Sequence, residues 1–254
     1  MKIKMIVTDL DGTLLKSDKS ISEYTKSVLR KCRDLGIKVA YATGRGGSAK
    51  RVAPSELFDG QISMNGAVAK IGDEIVYKRL ILHRTALPIL TACDKHGIKI
   101  TSENSGMHYS NFSVSDMWPQ ITNFKIVDFL QHNIDAEKIY TPNPTANDRL
   151  FIEQLLSDDL YFVVTTDGDG YLGQIMHKEA TKAKAIAALA QHWGITRSEI
   201  AAFGDDYNDI DMLQECGISI AVANAINDVK AVAEYICDAN DNDGIAKWIV
   251  DVLA

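Results

Sequence analysis

The sequence predicts an α/β protein: a mostly parallel sheet covered on both faces, with a second α/β domain inserted into the first. Short apolar runs alternate with helical stretches at both ends of the 254-residue chain. The alternation breaks down in the middle, where strand-like runs follow one another. The clearest strands also end in polar clusters, and ligands of open parallel sheets bind beyond the carboxyl ends of the strands.

Ile3 to Thr8 reads as a buried parallel strand. Glu23 to Leu35 reads as a helix with Ser22 as N-cap, Val28, Cys32 and Leu35 on one face, and Gly36 as its stop. Ile37 to Ala42 is a second buried strand, ending at Thr43-Gly44-Arg45. A short strand around Gln61-Ile62-Ser63 and a hairpin from Ala67 to Tyr77 follow. Thr85 to His96 has helical periodicity, with Pro88 tolerable only in the first turn. Strand-like runs come next at Ile98 to Thr101, Met107 to Phe112 and Lys125 to Phe129, then a helix near Asn147 to Leu156. Two further strands are expected at Tyr161 to Thr165 and Tyr171 to Met176. Lys182 to Trp193 is an alanine-rich helix, and Ile200 to Phe203 a strand ending at Gly204-Asp205-Asp206. Asp209 to Cys216 is a short helix, Gly217 to Val222 a strand, and Asp243-Gly244 precedes a final amphipathic helix through Ile249 and Leu253. This pattern assigns residues 1–80 and 180–254 to one domain and residues 81–179 to the insertion.

With 46% hydrophobic residues the chain can build one large or two modest cores. The net charge of −7 and the lack of a long basic run argue against a nucleic-acid partner, though a local site can still invert the sign and hold a phosphate. Cys32, Cys93, Cys216 and Cys237 form no CxxC pair and no metal spacing, which fits free thiols in a reducing compartment. The N-terminus has no signal-peptide pattern, and no run approaches the ~20 apolar residues of a membrane span. A soluble cytoplasmic protein with no membrane partner is expected; the oligomeric state is left open.

Asp9 and Asp11 lie where the first strand ends, in Thr8-Asp9-Leu10-Asp11-Gly12-Thr13-Leu14-Leu15. Two carboxylates this close repel unless a cation sits between them or one keeps its proton, and magnesium prefers such hard oxygen ligands. An Asx-type turn is the plainer alternative, but it leaves the complete D-x-D-G-T-L pattern unexplained. Thr43-Gly44 offers a hydroxyl and an open backbone N–H to a phosphate oxygen, although Thr-Gly turns are ordinary. Lys182 stands at a helix start, where the dipole disfavours a cation unless an anion faces it; in isolation it also reads as a solvated lysine. Gly204-Asp205-Asp206-Tyr207-Asn208-Asp209 follows a third strand end. Helix capping explains one of its acids but not the cluster, which supplies the second carboxylate source a magnesium site needs.

These four elements, in this order, resemble the haloacid dehalogenase (HAD) superfamily of phosphohydrolases. The likeness spans Asp9 to Asp243-Gly244, and the long insertion together with Ser63-Met64-Asn65-Gly66-Ala67 looks like the Cof-like subfamily with its α/β cap. The resemblance implies a Rossmann-like parallel core, with residues 81–179 as a cap that closes over the site and chooses the leaving group. It implies Asp9 as the nucleophile that becomes an aspartyl phosphate, and Asp11 as the acid/base that protonates the leaving alcohol and then activates water. Magnesium ligands are implied at Asp9, Asp205 and the Asp11 backbone carbonyl. Phosphate holders are implied at Thr43, Gly44, Lys182, Asn208 and the Leu10 amide, with Asp209 in support. Ala183 and Ala223-Asn224-Ala225 depart from the family pattern, each adding a methyl at a tight position.

The chemistry agrees with that assignment. Phosphoryl transfer is catalysed by positioning and charge stabilisation, and covalent transfer splits one hard hydrolysis into two steps. Asp11 must be protonated in the first step and ionised in the second, so its pKa is expected to be raised. The implied activity is magnesium-dependent hydrolysis of a small phosphorylated metabolite, such as a sugar phosphate or a phosphorylated cofactor or its precursor. Two alternatives share these residues: a phosphosugar mutase, and a phospho-aspartate signalling or phosphate-binding module. The six histidines form no ligand motif. Tyr109, Phe112 and Trp118 read as packing residues, with substrate stacking as the alternative.

Overall fold

In the computed structural model, which describes residues 2–167 and 170–253, β1 (Met5–Thr8) is buried at every position. α1 (Glu23–Asp34) is capped by Ser22, whose hydroxyl accepts the Thr25 amide at 3.0 Å, a cap worth about 1 kcal/mol. Gly36, at φ +81°, ends it in the left-handed conformation. β2 (Lys38–Ala42) and β3 (Gly60–Ser63) continue the parallel sheet, and β4 (Val68–Ile71) and β5 (Glu74–Lys78) form the expected hairpin beside them.

The chain then forms its second compact unit, Arg79–Ala180. α2 (His83–Lys95) starts earlier than expected because the Asp135 carboxylate accepts the His83 amide at 2.7 Å. Pro88 therefore sits in its second turn rather than its first, where it offers no N–H to the Arg84 carbonyl. The strand expected at Ile98 to Thr101 lies instead at β6 (Thr101–Asn104). Gly97, at φ +78°, folds the Ile98 amide back onto the Cys93 carbonyl, and the Ile100 amide takes the Asn111 side chain, so the ladder begins only at Thr101. β7 (Met107–Ser110) and β8 (Phe124–Ile126) are shorter than expected; Phe129 belongs to a 3₁₀ turn capped by Asp128. β9 (Lys138–Pro142), which the sequence reading missed, is buried at every position. α3 (Ala146–Leu155), β10 (Leu160–Asp167) and β11 (Gly170–His177) complete the unit, whose sheet runs β10-β11-β9-β6-β7-β8.

The other unit comprises Met1–Lys78 and Thr181–Ala254. Its second segment adds α4 (Lys182–Trp193), β12 (Ile200–Gly204), α5 (Ile210–Glu215) and β13 (Ile218–Val222). α6 (Asn227–Val232), β14 (Tyr235–Cys237) and α7 (Gly244–Leu253) follow. The sheet order is β14-β13-β12-β1-β2-β3-β4-β5, parallel from β14 to β3. The α/β class with a parallel core is thus borne out. β1 lies between β2 and β12 with Thr8 opposite both Tyr41 and Phe203, so Asp9, Thr43 and Asp205 leave one edge of the sheet side by side. No helix among the described residues is long and apolar enough to cross a membrane.

Candidate active site

Asp9 leaves β1 with its amide bonded to the Phe203 carbonyl at 3.0 Å, and its side chain is buried. Lys182, the first residue of α4, is fully buried; its ammonium donates to Asp9 Oδ1 and to Asp209 Oδ1, each at 2.6 Å. The solvated-lysine alternative is therefore excluded. Asp209 is fixed from its other oxygen, which accepts the Asp205 and Asp206 amides at 3.0 and 3.2 Å. This approach needs Gly204, because a Cβ there would lie 2.5 Å from Asp209 Cβ. Asp205 accepts the Thr13 hydroxyl at 2.5 Å, so its carboxylate is tied to the loop that carries Asp9. Gly12 lies at φ +78°, and a Cβ on it would come within 2.3 Å of Asp205 Oδ2. Asn224 closes that loop from outside, donating to the Gly12 carbonyl at 2.7 Å.

Asp9, Asp205 and Asp209 offer carboxylate oxygens that lie within 4.8 Å of one another. Burial pushes Asp9 up to about 8, with Asp209 and Asp205 adding to the rise and Lys182 opposing it. Burial likewise raises Asp205, to about 6, against the Thr13 hydrogen bond. Three crowded carboxyl groups facing one ammonium are an electrostatic deficit that a hard divalent cation would relieve, and the all-oxygen donor set suits one.

Asp11 does not join this cluster through its side chain. Its half-buried carboxylate pairs with the Arg45 guanidinium, including a 2.6 Å bond from Nη2 to Oδ1, and with Lys19 Nζ at 2.9 Å. Burial alone would raise its pKa, but these two cations outweigh burial and lower it. The expectation of a raised pKa is corrected accordingly: the residue after Thr43-Gly44 supplies a partner that strand-end reasoning did not include.

Thr43 is buried, and its hydroxyl accepts the Arg45 amide at 3.1 Å. Gly44 lies close under Asn65, whose Oδ1 would stand 2.9 Å from a Cβ there. Asn208 donates from Nδ2 to the same Asn65 oxygen at 3.0 Å. Asn65 thus joins two of the expected phosphate holders, a role that its place in Ser63-Met64-Asn65-Gly66-Ala67 does not by itself reveal. Met64, Asn65 and Gly66 all have positive φ (51°, 52° and 104°), and a Cβ on Gly66 would meet the Thr181 carbonyl at 2.1 Å. This turn therefore packs directly against the start of α4 and so against Lys182. The Leu10 side chain is buried in the core. Of the two methyl departures, Ala183 is half-exposed and Ala223 is exposed.

A model of the haloacid dehalogenase-like hydrolase family matches residues 6–249. The 5-amino-6-(5-phospho-D-ribitylamino)uracil phosphatase YitU of Bacillus subtilis (strain 168) is 29% identical, over 98% of this chain and 97% of its own. A second phosphatase of the same description and organism, YcsE, is 28% identical over 97% of this chain and 94% of its own. Among solved structures, the HAD subclass IIB sugar phosphatase BT4131 is 26% identical with a TM-score of 0.80, covering 98% of each chain.

Proposed function

Because the chain belongs to the haloacid dehalogenase-like hydrolase family, we propose that this phosphatase is magnesium-dependent and hydrolyses small phosphomonoesters through an aspartyl phosphate on Asp9. Its substrate in this reading is a sugar phosphate or a phosphorylated cofactor or precursor; BT4131 is named a sugar phosphatase, and YitU and YcsE are named phosphatases of 5-amino-6-(5-phospho-D-ribitylamino)uracil. The observation that carries the reading is Lys182, buried and 2.6 Å from both Asp9 and Asp209, with Asp205 completing the carboxylate group.

Asp9 attacks phosphorus, forming a new P–O bond as the bond to the leaving alcohol breaks. Lys182 orients the attacking carboxylate and offsets the charge that the phosphoryl group brings. Asp11 gives a proton to the leaving oxygen, then takes one from the water that attacks the aspartyl phosphate, releasing inorganic phosphate and restoring Asp9. For the first of these roles the Arg45 and Lys19 contacts to Asp11 must loosen, and an arriving phosphate competes for the same two cations. Thr43, the Gly44 and Leu10 amides and Asn208 hold the phosphate oxygens. Asp9, Asp205 and the Asp11 carbonyl, with Asp209 alongside, would hold magnesium, which when bound neutralises the phosphate and keeps Asp9 ionised. The unit Arg79–Ala180 is assigned the choice of leaving group. The four cysteines, all unpaired, suit a reducing compartment such as the cytoplasm.

The test is phosphate release from p-nitrophenyl phosphate with magnesium and with a chelator, for the native chain and Asp9→Asn. Release that needs magnesium and disappears in Asp9→Asn supports the reading. Interconversion of phosphosugars without phosphate release would replace it with a mutase. A phosphorylated chain that persists for hours in magnesium would replace it with a signalling module.

A further inference from the structure

Asp11 stands between two backbone carbonyls, and both are held. The Leu10 carbonyl accepts the Leu15 amide at 2.8 Å, which closes residues 10–15 into a loop. The Gly12 carbonyl accepts Asn224 Nδ2 at 2.7 Å, and the Leu15 carbonyl accepts Asn240 Nδ2 at 2.8 Å. The two asparagines are joined in turn, because the Asn240 main-chain amide donates to Asn224 Oδ1 at 3.0 Å. Leu10, Leu15, Asn240, Asn224 and Gly12 thus form a closed ring of hydrogen bonds around Asp11.

Both asparagines come from far along the chain. Asn224 lies between β13 and α6, 212 residues from Gly12. Asn240 begins the 3₁₀ turn Asn240–Asn242 ahead of α7, 225 residues from Leu15. Each turn closes through its own backbone. The Ala225 amide meets the Val222 carbonyl at 2.9 Å, and the Asn242 amide meets the Ala239 carbonyl at 3.0 Å. The side chains are therefore free to serve the Asp11 loop. The Ile226 amide also donates to the Asp205 carbonyl at 3.0 Å, which anchors the Asn224 segment to a second strand end of the site.

The residue type fits this task. An asparagine side chain carries an acceptor and a donor, so Asn224 can take an amide with Oδ1 while giving Nδ2 to a carbonyl. Asn240 is buried, and so is its bond to Leu15, where water does not readily replace a lost donor. Asp9 has restraints of its own in the Phe203 carbonyl and the Lys182 ammonium. The ring therefore places Asp11 relative to Asp9. The Asp11 side chain must swing from Arg45 and Lys19 to a leaving oxygen, and a backbone pinned on both sides lets it swing about a fixed Cα.

We infer that Asn224 and Asn240 are positioning residues that hold Asp11 in place for proton transfer to the leaving group. The inference rests on the phosphatase reading above for the role of Asp11. Neither asparagine touches the reacting atoms.

The test compares phenyl phosphate with p-nitrophenyl phosphate on the full chain with magnesium. p-Nitrophenolate departs readily without a proton and phenolate does not, and kcat/KM reports the step in which the leaving group departs. Binding losses common to the two similar rings cancel in the ratio. We expect the ratio of p-nitrophenyl to phenyl kcat/KM to rise about fivefold or more in Asn240→Ala and in Asn224→Ala. Asp241→Ala is the control. Asp241 grips the Ser17 amide and hydroxyl at 2.8 and 2.7 Å, just beyond the ring, and its loss should change the ratio by less than about twofold. Asn224 is exposed, so its variant carries the test if Asn240→Ala fails to fold. An unchanged ratio in Asn224→Ala, equal losses for both substrates, or the same rise in Asp241→Ala would overturn the inference. If the native chain releases phosphate from neither substrate, the phosphatase reading fails by itself. Hydrogen exchange then decides the ring: faster exchange of the Leu15 amide in Asn224→Ala, with α4 unchanged, supports it, and native exchange at Leu15 overturns it.

Discussion

The Lys182 ammonium meets Asp9 Oδ1 at 2.6 Å with the lysine side chain wholly removed from solvent. Asp209 is held by the same nitrogen at the same distance, so a single cation balances two buried carboxyl groups. Lys182→Met should leave both uncompensated, a change that costs about 3–5 kcal/mol for a buried pair broken from one side. Millimolar magnesium should restore part of that loss, because a divalent cation among Asp9, Asp205 and Asp209 replaces the missing charge. Urea unfolding with and without magnesium checks this; a variant of native stability that ignores magnesium would show that the three carboxyl groups do not act together.

Gly12 offers a second handle on the same cluster. A methyl group there would sit 2.3 Å from Asp205 Oδ2, at a backbone φ of +78°. Gly12→Ala should cost about 1–2 kcal/mol from the left-handed backbone and push Asp205 away from Asp9. The magnesium concentration needed for half-maximal turnover should rise about tenfold, since one carboxylate ligand is misplaced. Gly36→Ala is the control: its φ is +81°, but nothing lies within 4 Å of the new methyl. It should lose comparable stability and leave the magnesium requirement unchanged. A matching shift in both variants would mean that backbone strain, not Asp205, is responsible.

The parallel core was legible because strands buried on both faces read as unbroken apolar runs, such as Met5-Ile6-Val7 and Ile200 to Phe203, each followed by a helix. The second unit was less legible. β9 alternates Ile139 with Lys138 and Tyr140 and ends in Pro142, so a polar buried face hid a central strand. At the site, the strand-end acids announced themselves locally. Arg45 on Asp11 and Asn65 on Asn208 are pairs 34 and 143 residues apart, and no periodicity links them. The only trace of Asn65 was its place in Asn65-Gly66, two residue types that tolerate the positive φ found there.

Asn65→Gly separates that side chain from its backbone. Glycine accepts φ +52°, so the turn against α4 should survive and stability should stay within about 1 kcal/mol of native. Asn208 loses the 3.0 Å bond to Asn65 Oδ1 and with it a fixed orientation. KM for p-nitrophenyl phosphate should rise about fivefold, the effect of one neutral hydrogen bond. An unchanged KM would remove Asn65 from the positioning of Asn208.

His108 makes the second unit sensitive to acid, and the sign follows from its burial. Desolvation, with Lys138 nearby, lowers its pKa from 6.5 to about 4. The folded state therefore holds the ring neutral while the unfolded chain takes up a proton between those values. The stabilisation is complete above pH 6.5 and is lost as the pH falls towards 4. Glu103, 3.8 Å away, works in the opposite sense: burial raises its pKa, so the folded state gains relative to the unfolded one as that carboxyl takes up its proton on acidification. The other groups facing the ring are the Lys138 ammonium and the Tyr140 hydroxyl, which bonds Nδ1. His108→Gln removes only the arm that loses stability in acid. Its urea midpoint should fall less than that of the native chain between pH 6.5 and about 4, and the two should run parallel above that window. Parallel curves throughout the acid range would mean that His108 titrates alike in the folded and unfolded states.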